Sequence, residues 1–156
     1  PISMILGEVT TGMLDNEAER RGKIFISTEL GGLGTTTAER MAITRRGVKK
    51  VLRHFKILKG DVEKSATRFM DISYGTSSII SYDEGMIEFF VDLGEEVKKG
   101  DPLARVWFFQ DPEREPRIYE APRDGLFYAR HAPGLIKRGD DMAYIAADFD
   151  PKAINQ

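Results

Sequence analysis

Apolar positions along this chain change their period once, near residue 62. Before that point the runs Ser3–Val9 and Lys23–Thr28 are short, apolar and rich in β-branched or aromatic residues, which predicts two strands, the second of them buried. Between them, Asp15 or Asn16 caps a helical turn through Glu17–Arg21 that Gly22 ends. From Met41 the apolar residues Val48, Val51, Leu52, Phe55 and Leu58 recur at steps of three and four, with Arg45, Arg46, Lys49, Lys50 and Arg53 mostly on the other side. This predicts an amphipathic helix that packs one face on a sheet. Thr36-Thr37-Ala38-Glu39 reads as its capping box, about Leu58 as its end and Gly60-Asp61 as its close, and Gly47 in its middle implies close packing there. Polar residues 59–65 then separate a region 1–62 from a second region 63–147, followed by a tail 148–156.

The second region repeats itself. Gly85-Met86-Ile87-Glu88-Phe89 leads to Val97-Lys98-Lys99-Gly100-Asp101 and then Leu103-Ala104-Arg105-Val106; Gly125-Leu126-Phe127-Tyr128-Ala129 leads to Ile136-Lys137-Arg138-Gly139-Asp140 and then Met142-Ala143-Tyr144-Ile145. Each copy reads as a strand, a short strand, a Gly-Asp turn and a further strand, and two copies predict a small pseudo-symmetric barrel with a shared core. The pattern resembles the barrel-sandwich hybrid of biotinyl and lipoyl carrier domains. A carrier presents a lysine between its halves, whereas residues 107–117 here contain none. The aromatic residues Trp107, Phe108, Phe109 and Tyr119 are expected to fill a core or a subunit contact.

Composition narrows the function classes. At 156 residues, 41% hydrophobic and 31% charged, the chain is long enough for one good core or two small ones. Its 23 basic and 25 acidic residues read as well mixed, so neither nucleic acid nor an anionic membrane is expected as a partner. With no cysteine there is no disulfide, thiolate metal site or cysteine nucleophile. The absence of a long apolar stretch and of a signal-peptide pattern leads to an expected cytoplasmic location.

Candidate chemistry centres on Thr28-Glu29-Leu30-Gly31-Gly32, where the expected buried strand breaks into a glycine-rich turn. Two readings of Glu29 stand side by side. A carboxylate at a strand's carboxyl end faces the crevice in which α/β proteins bind ligands, or it caps a backbone N–H of the turn.

The Thr-Glu-Leu-Gly-Gly segment, the basic helix from Arg45 to Phe55 and the following barrel together resemble the second half of succinylglutamate desuccinylase/aspartoacylase family proteins. Gly12–Asp15, Gly22–Gly32 and Gly125–Leu135 point within it to the deacetylases of ectoine degradation that act on N-α-acetyl-L-2,4-diaminobutyrate. The resemblance implies an α/β piece of a zinc-carboxypeptidase-like fold followed by an all-β barrel-sandwich hybrid domain. It also implies a zinc-dependent hydrolase that cleaves an N-acyl amino acid, with Glu29 as general base and Gly31 and Gly32 letting backbone approach the substrate. Arg123 falls where the family places a tyrosine of the substrate channel, and is either a ligand for a substrate carboxylate or the partner of the adjacent Asp124.

The family's zinc ligands, a His-x-x-Glu pair and a later histidine, precede the Thr-Glu-Leu-Gly-Gly strand. This chain has only His54 and His131, both after it, so no metal ligand is assigned to it. The expectation is therefore a fragment, inactive alone and prone to self-association, of a homo-oligomeric deacylase. The alternative is a non-catalytic binding or assembly module with a carrier-like barrel in which Glu29 is structural.

Overall fold

The computed structural model describes residues 2–5, 12–28, 31–32, 34–62, 64, 66–73 and 75–152. Two compact units emerge, one of Pro1–Val9 with Thr67–Gln156 and one of Thr10–Ala66.

The first unit is β-rich. Its strands are β1 (Ile2–Ile5), β2 (Arg68–Asp71), β3 (Ser78–Ile80), β4 (Gly85–Phe89), β5 (Glu96–Val97), β6 (Pro102–Trp107), β7 (Arg117–Glu120), β8 (Gly125–Arg130), β9 (Leu135–Ile136) and β10 (Asp141–Asp148). One sheet runs β1-β2-β10-β8-β5 with β3 on β10, and the other runs β7-β6-β4-β9. The two sequence copies, β4–β6 and β8–β10, exchange their short strands. β5 pairs with β8 of the other copy, and β9 pairs with β4. Neither copy can close its own core without the other, so the repeat folds as one barrel.

Turn chemistry is repeated in the two copies. Gly100 at φ 90° and Gly139 at φ 91° take the left-handed conformation that glycine adopts without a Cβ clash. The following aspartates close the two turns alike: Asp101 accepts from the Lys98 amide at 2.8 Å and Asp140 from the Lys137 amide at 2.9 Å. A Cβ on Gly85 would lie 2.2 Å from the Trp107 carbonyl oxygen, and one on Gly125 would lie 2.1 Å from that of Ala146. The core fills in matched pairs, Val97 with Ile136, Leu103 with Met142, Ala104 with Ala143 and Val106 with Ile145, every one buried. β1 joins this unit by lying parallel to β2, Ile2 opposite Arg68.

The second unit holds α1 (Leu14–Arg20) and α2 (Ala38–His54). Several expectations change here. Helix α1 starts one residue ahead of Asp15, from Met13 without a side-chain cap, because Asp15 accepts instead from the Asn16 amide. Gly22, at φ 64°, ends it as expected. The cap of α2 is Thr37, which accepts from the Arg40 amide at 3.2 Å, one residue after the capping box read from the sequence. The helix also stops earlier, at His54. Lys56 adopts φ 58°, and the Ile57 and Lys56 amides donate to the carbonyls of Leu52 and Arg53, a Schellman closure made with a lysine where glycine is usual.

Gly47 is not a close-packing site among the described residues, since a Cβ there would meet none of them within 4 Å. No residue of α2 is fully buried, so its apolar face does not lie against a sheet among the described residues. Residues 23–28, expected as a buried strand, belong to no sheet among the described residues and leave Ile24 and Ile26 well exposed; a strand holds only where a neighbour completes its ladder. Charge is sorted rather than mixed, with α2 carrying Arg40, Arg45, Arg46, Lys49, Lys50 and Arg53 against Glu39 alone. Among the described residues no helix is long and apolar enough to cross a membrane.

Candidate active site and its relatives

Glu29, the expected catalytic acid, lies outside the described residues, as do Leu30 and Leu33. The turn that follows is built around Gly31. A Cβ on it would sit 1.7 Å from the Thr35 carbonyl oxygen, so no other residue fits without moving the backbone. Gly32 is under no such constraint, but its carbonyl accepts from both the Thr35 amide at 3.0 Å and the Thr35 hydroxyl at 2.8 Å. Two residues later Thr37 caps α2, so the chain passes from the glycine turn directly into the helix.

Ser27 and Thr28 border a cleft of about 450 Å³ against Ile43, Thr44, Gly47, Val48, Val51 and Leu52 of α2. Among the described residues its lining has hydroxyls but no titratable side chain. A neighbouring cleft of about 300 Å³ includes His54, whose ring meets Phe55 edge-on at 5.0 Å. His131 contacts the Leu135 carbonyl through Nε2 at 3.1 Å. Among the described residues no three His, Cys, Asp or Glu side chains gather in a way that holds a metal ion, so the residues described do not fit zinc by themselves.

Arg123 is tied into the barrel unit and does not pair with its neighbour in sequence. Its Nη2 donates to Asp71 Oδ2 at 3.1 Å, and its Nη1 donates to the hydroxyls of Thr76 at 3.0 Å and Ser77 at 3.3 Å. Burial pushes the Asp71 carboxyl up, but the Ser73 hydroxyl and amide and the Arg123 guanidinium outweigh it and hold it below its ordinary value. Asp124 instead accepts from the Lys99 amide at 2.8 Å and the Lys98 ammonium at 3.3 Å, and both interactions lower its pKa. The structure thus groups Gly31 and Gly32 with Thr35 in one unit, and Arg123 with Asp71, Thr76 and Ser77 in the other.

A polar cluster that sequence reading missed sits at the segment that links the two copies. Buried Asp83 accepts from the Tyr119 hydroxyl at 2.7 Å and pairs with Arg114 at 3.2 Å and Arg117 at 3.1 Å, while Arg114 stacks on Phe108 at 3.5 Å. The link between the copies is thereby fastened to the barrel. Its one sequence signal is the density of arginines between Phe109 and Tyr119; the acidic partner is some thirty residues earlier, beyond the reach of any local pattern.

No family model matches the chain. The curated N-alpha-acetyl-L-2,4-diaminobutyric acid deacetylase of Halomonas elongata is 35% identical over 149 residues, covering 94% of this chain and 44% of that protein. Among solved structures, the product-bound ectoine utilization protein EutE (DoeB) of Ruegeria pomeroyi is 40% identical with a TM-score of 0.86, covering 94% of this chain and 45% of that one. A succinylglutamate desuccinylase from Silicibacter sp. is 39% identical with a TM-score of 0.84, covering 96% and 46%. A succinylglutamate desuccinylase/aspartoacylase from Rhodobacter sphaeroides is 28% identical with a TM-score of 0.85, covering 96% and 46%. The chain spans about half the length of the relatives it matches. Over more than nine-tenths of its residues, then, this chain is a homologue of the deacylases of the succinylglutamate desuccinylase/aspartoacylase family and corresponds to about half of one such protein.

Proposed function

We propose that this chain is the second half of a zinc-dependent, cytoplasmic deacylase that removes the acetyl group from N-α-acetyl-L-2,4-diaminobutyrate in ectoine degradation. The observation that carries this reading is the 35% identity to a diaminobutyric acid deacetylase over 94% of the chain, since that match includes the glycine turn and the barrel alike. Residues 10–62, without β1, which pairs with β2, are the end of the catalytic α/β domain of a carboxypeptidase-like fold. The exposed Ile24, Ile26, Ile43, Val48 and Phe55 support this, because such side chains face the sheet or the opposite layer in an α/β domain. The zinc ligands belong to the other half, and the chain alone is inactive.

In this reading Glu29 takes a proton from the attacking water and passes it to the leaving amine. Gly31 keeps the backbone beside it compact, since a side chain there collides with Thr35. A substrate carboxylate has to compete with Asp71 for Arg123, whose two terminal nitrogens are already engaged. In the complete polypeptide, Glu29→Gln is expected to lower kcat for N-α-acetyl-L-2,4-diaminobutyrate by about 10²–10⁴-fold with an unchanged circular dichroism spectrum. A variant that keeps the wild-type rate overturns the role of Glu29, and turnover by the 156-residue chain alone overturns its inactivity.

A further inference from the structure

The segment that links the two copies of the barrel repeat folds over a small cavity beside Glu84, the residue that precedes β4. Its volume is about 210 Å³, and among the described residues Glu84, Phe108, Phe109, Gln110, Asp111 and Arg114 line it. All six belong to the barrel unit. A cavity of this size falls below the roughly 300–1,000 Å³ of pockets for drug-sized ligands and suits a molecule of about eight to ten non-hydrogen atoms. Its charged groups are two carboxylates and one guanidinium, set beside aromatic rings.

Arg114 is held in place without being used up. Its guanidinium carbon lies 3.5 Å from the ring centre of Phe108, which is itself buried. Among its N–H groups, one on Nη2 donates to Asp83 Oδ1 at 3.2 Å. Asp83 also accepts from the Tyr119 hydroxyl at 2.7 Å and pairs with Arg117 at 3.1 Å, so this buried carboxylate has two guanidinium partners. A ligand that draws on Arg114 therefore leaves no buried charge without a counter-ion. Backbone bonds fix Asp111 beside it: the Asp111 amide donates to the Phe108 carbonyl at 3.0 Å, and the Arg114 amide donates to the Asp111 carbonyl at 3.1 Å. Among the described residues, no hydrogen bond or ion pair engages the carboxylates of Asp111 and Glu84.

We infer that this cavity binds a free diamino acid, a short α-amino acid with a second ammonium on its side chain. The ligand carboxylate accepts from the unspent N–H groups of Arg114, and its two ammonium groups donate to Asp111 and Glu84. Charge balances: two carboxylates and one guanidinium leave the cavity with one negative charge, and a diamino acid carries one positive charge at neutral pH. A monoamine would leave one carboxylate unanswered, and an anionic ligand would face both. Phe109 offers an apolar wall to the methylene groups between the charges. These side chains carry the inference independently of the reaction proposed above, although the amine released there, 2,4-diaminobutyrate, belongs to this class.

Calorimetric titration of the 156-residue chain with L-2,4-diaminobutyrate is expected to show a single site with a dissociation constant of ~1 mM or below. L-2-aminobutyrate, which lacks the second ammonium, and 1,3-diaminopropane, which lacks the carboxylate, are each expected to bind at least ~10-fold more weakly. Arg114→Gln and Asp111→Asn are expected to weaken 2,4-diaminobutyrate binding by ~10-fold or more with the far-ultraviolet spectrum retained, since Asp83 keeps Arg117 and Tyr119. Glu84→Gln repeats the measurement outside the linking segment, where no fastening of that segment is disturbed. Absence of saturation up to ~20 mM overturns the site. So does an affinity that Arg114→Gln leaves unchanged, one that both acid variants leave unchanged, or equal binding of the two analogues. The titration involves no turnover, so its outcome is separate from whether the complete polypeptide is a deacylase.

Discussion

Replacing Gly125 by alanine tests the exchanged-strand barrel at its tightest point. The new Cβ would lie 2.1 Å from the Ala146 carbonyl oxygen, 2.9 Å from its carbon and 3.0 Å from Ile145 Cγ2. Ordinary contact requires β8 and β10 to separate by more than an ångström at that point, in the most extensively paired strands of the larger sheet. Gly125 also sits at φ 151°, where an L-residue is strained by roughly 1 kcal/mol. Overpacking adds about 1–3 kcal/mol. Loosening one or two ladder hydrogen bonds adds ~1 kcal/mol each. The sum is about 3–6 kcal/mol, a large share of the stability of a domain this size. Urea unfolding followed by Trp107 fluorescence measures it, with Gly134→Ala as control: a Cβ there meets nothing among the described residues within 4 Å, and the change is expected to stay within ~0.5 kcal/mol. If Gly125→Ala costs less than about 1 kcal/mol, β8 and β10 do not approach as closely as described and the matched roles of Gly85 and Gly125 fail with them.

Two further outcomes follow from the site geometry. Gly47→Ala is expected to stabilise α2 by up to ~1 kcal/mol, because it removes a flexible residue from a helix interior with open space around it; a loss of helicity by circular dichroism refutes this. Arg123→Ala is expected to cost about 1–3 kcal/mol at neutral pH by removing the charged donor from Asp71, which keeps only Ser73, and the guanidinium donor from Ser77. The Asp71 carboxyl is held below its ordinary value, so its contribution is complete above about pH 4 and is lost as the pH falls through the lowered value. The gap between wild type and variant must therefore narrow below pH 4, and a gap that widens on acidification refutes the pairing.

Legibility of the site followed distance along the chain. The family resemblance marks Gly31 and Gly32 alike, and only the structure separates them, since a Cβ on Gly31 meets the Thr35 carbonyl and one on Gly32 meets nothing among the described residues within 4 Å. Arg123 could be singled out but not given its partner, since Asp71 lies 52 residues earlier and the adjacent Asp124 was the obvious candidate. Asp83 escaped notice for the same reason. Of Trp107, Phe108, Phe109 and Tyr119, the sequence marked the density; the pleat then turned Phe108 and Tyr119 into the core and left Trp107 and Phe109 outside.

The sequence by itself determined the elements whose causes are local: the two Gly-Asp turns, the repeat they punctuate, the matched apolar pairs and the amphipathic period of α2. Each rests on a backbone conformation or hydrogen bond set within a few residues. Only the tertiary structure decided which copy each short strand joins and whether residues 23–28 find a sheet. Those choices lie between strands of nearly equal local preference, and they are settled by the burial and hydrogen bonding that become available when distant segments meet.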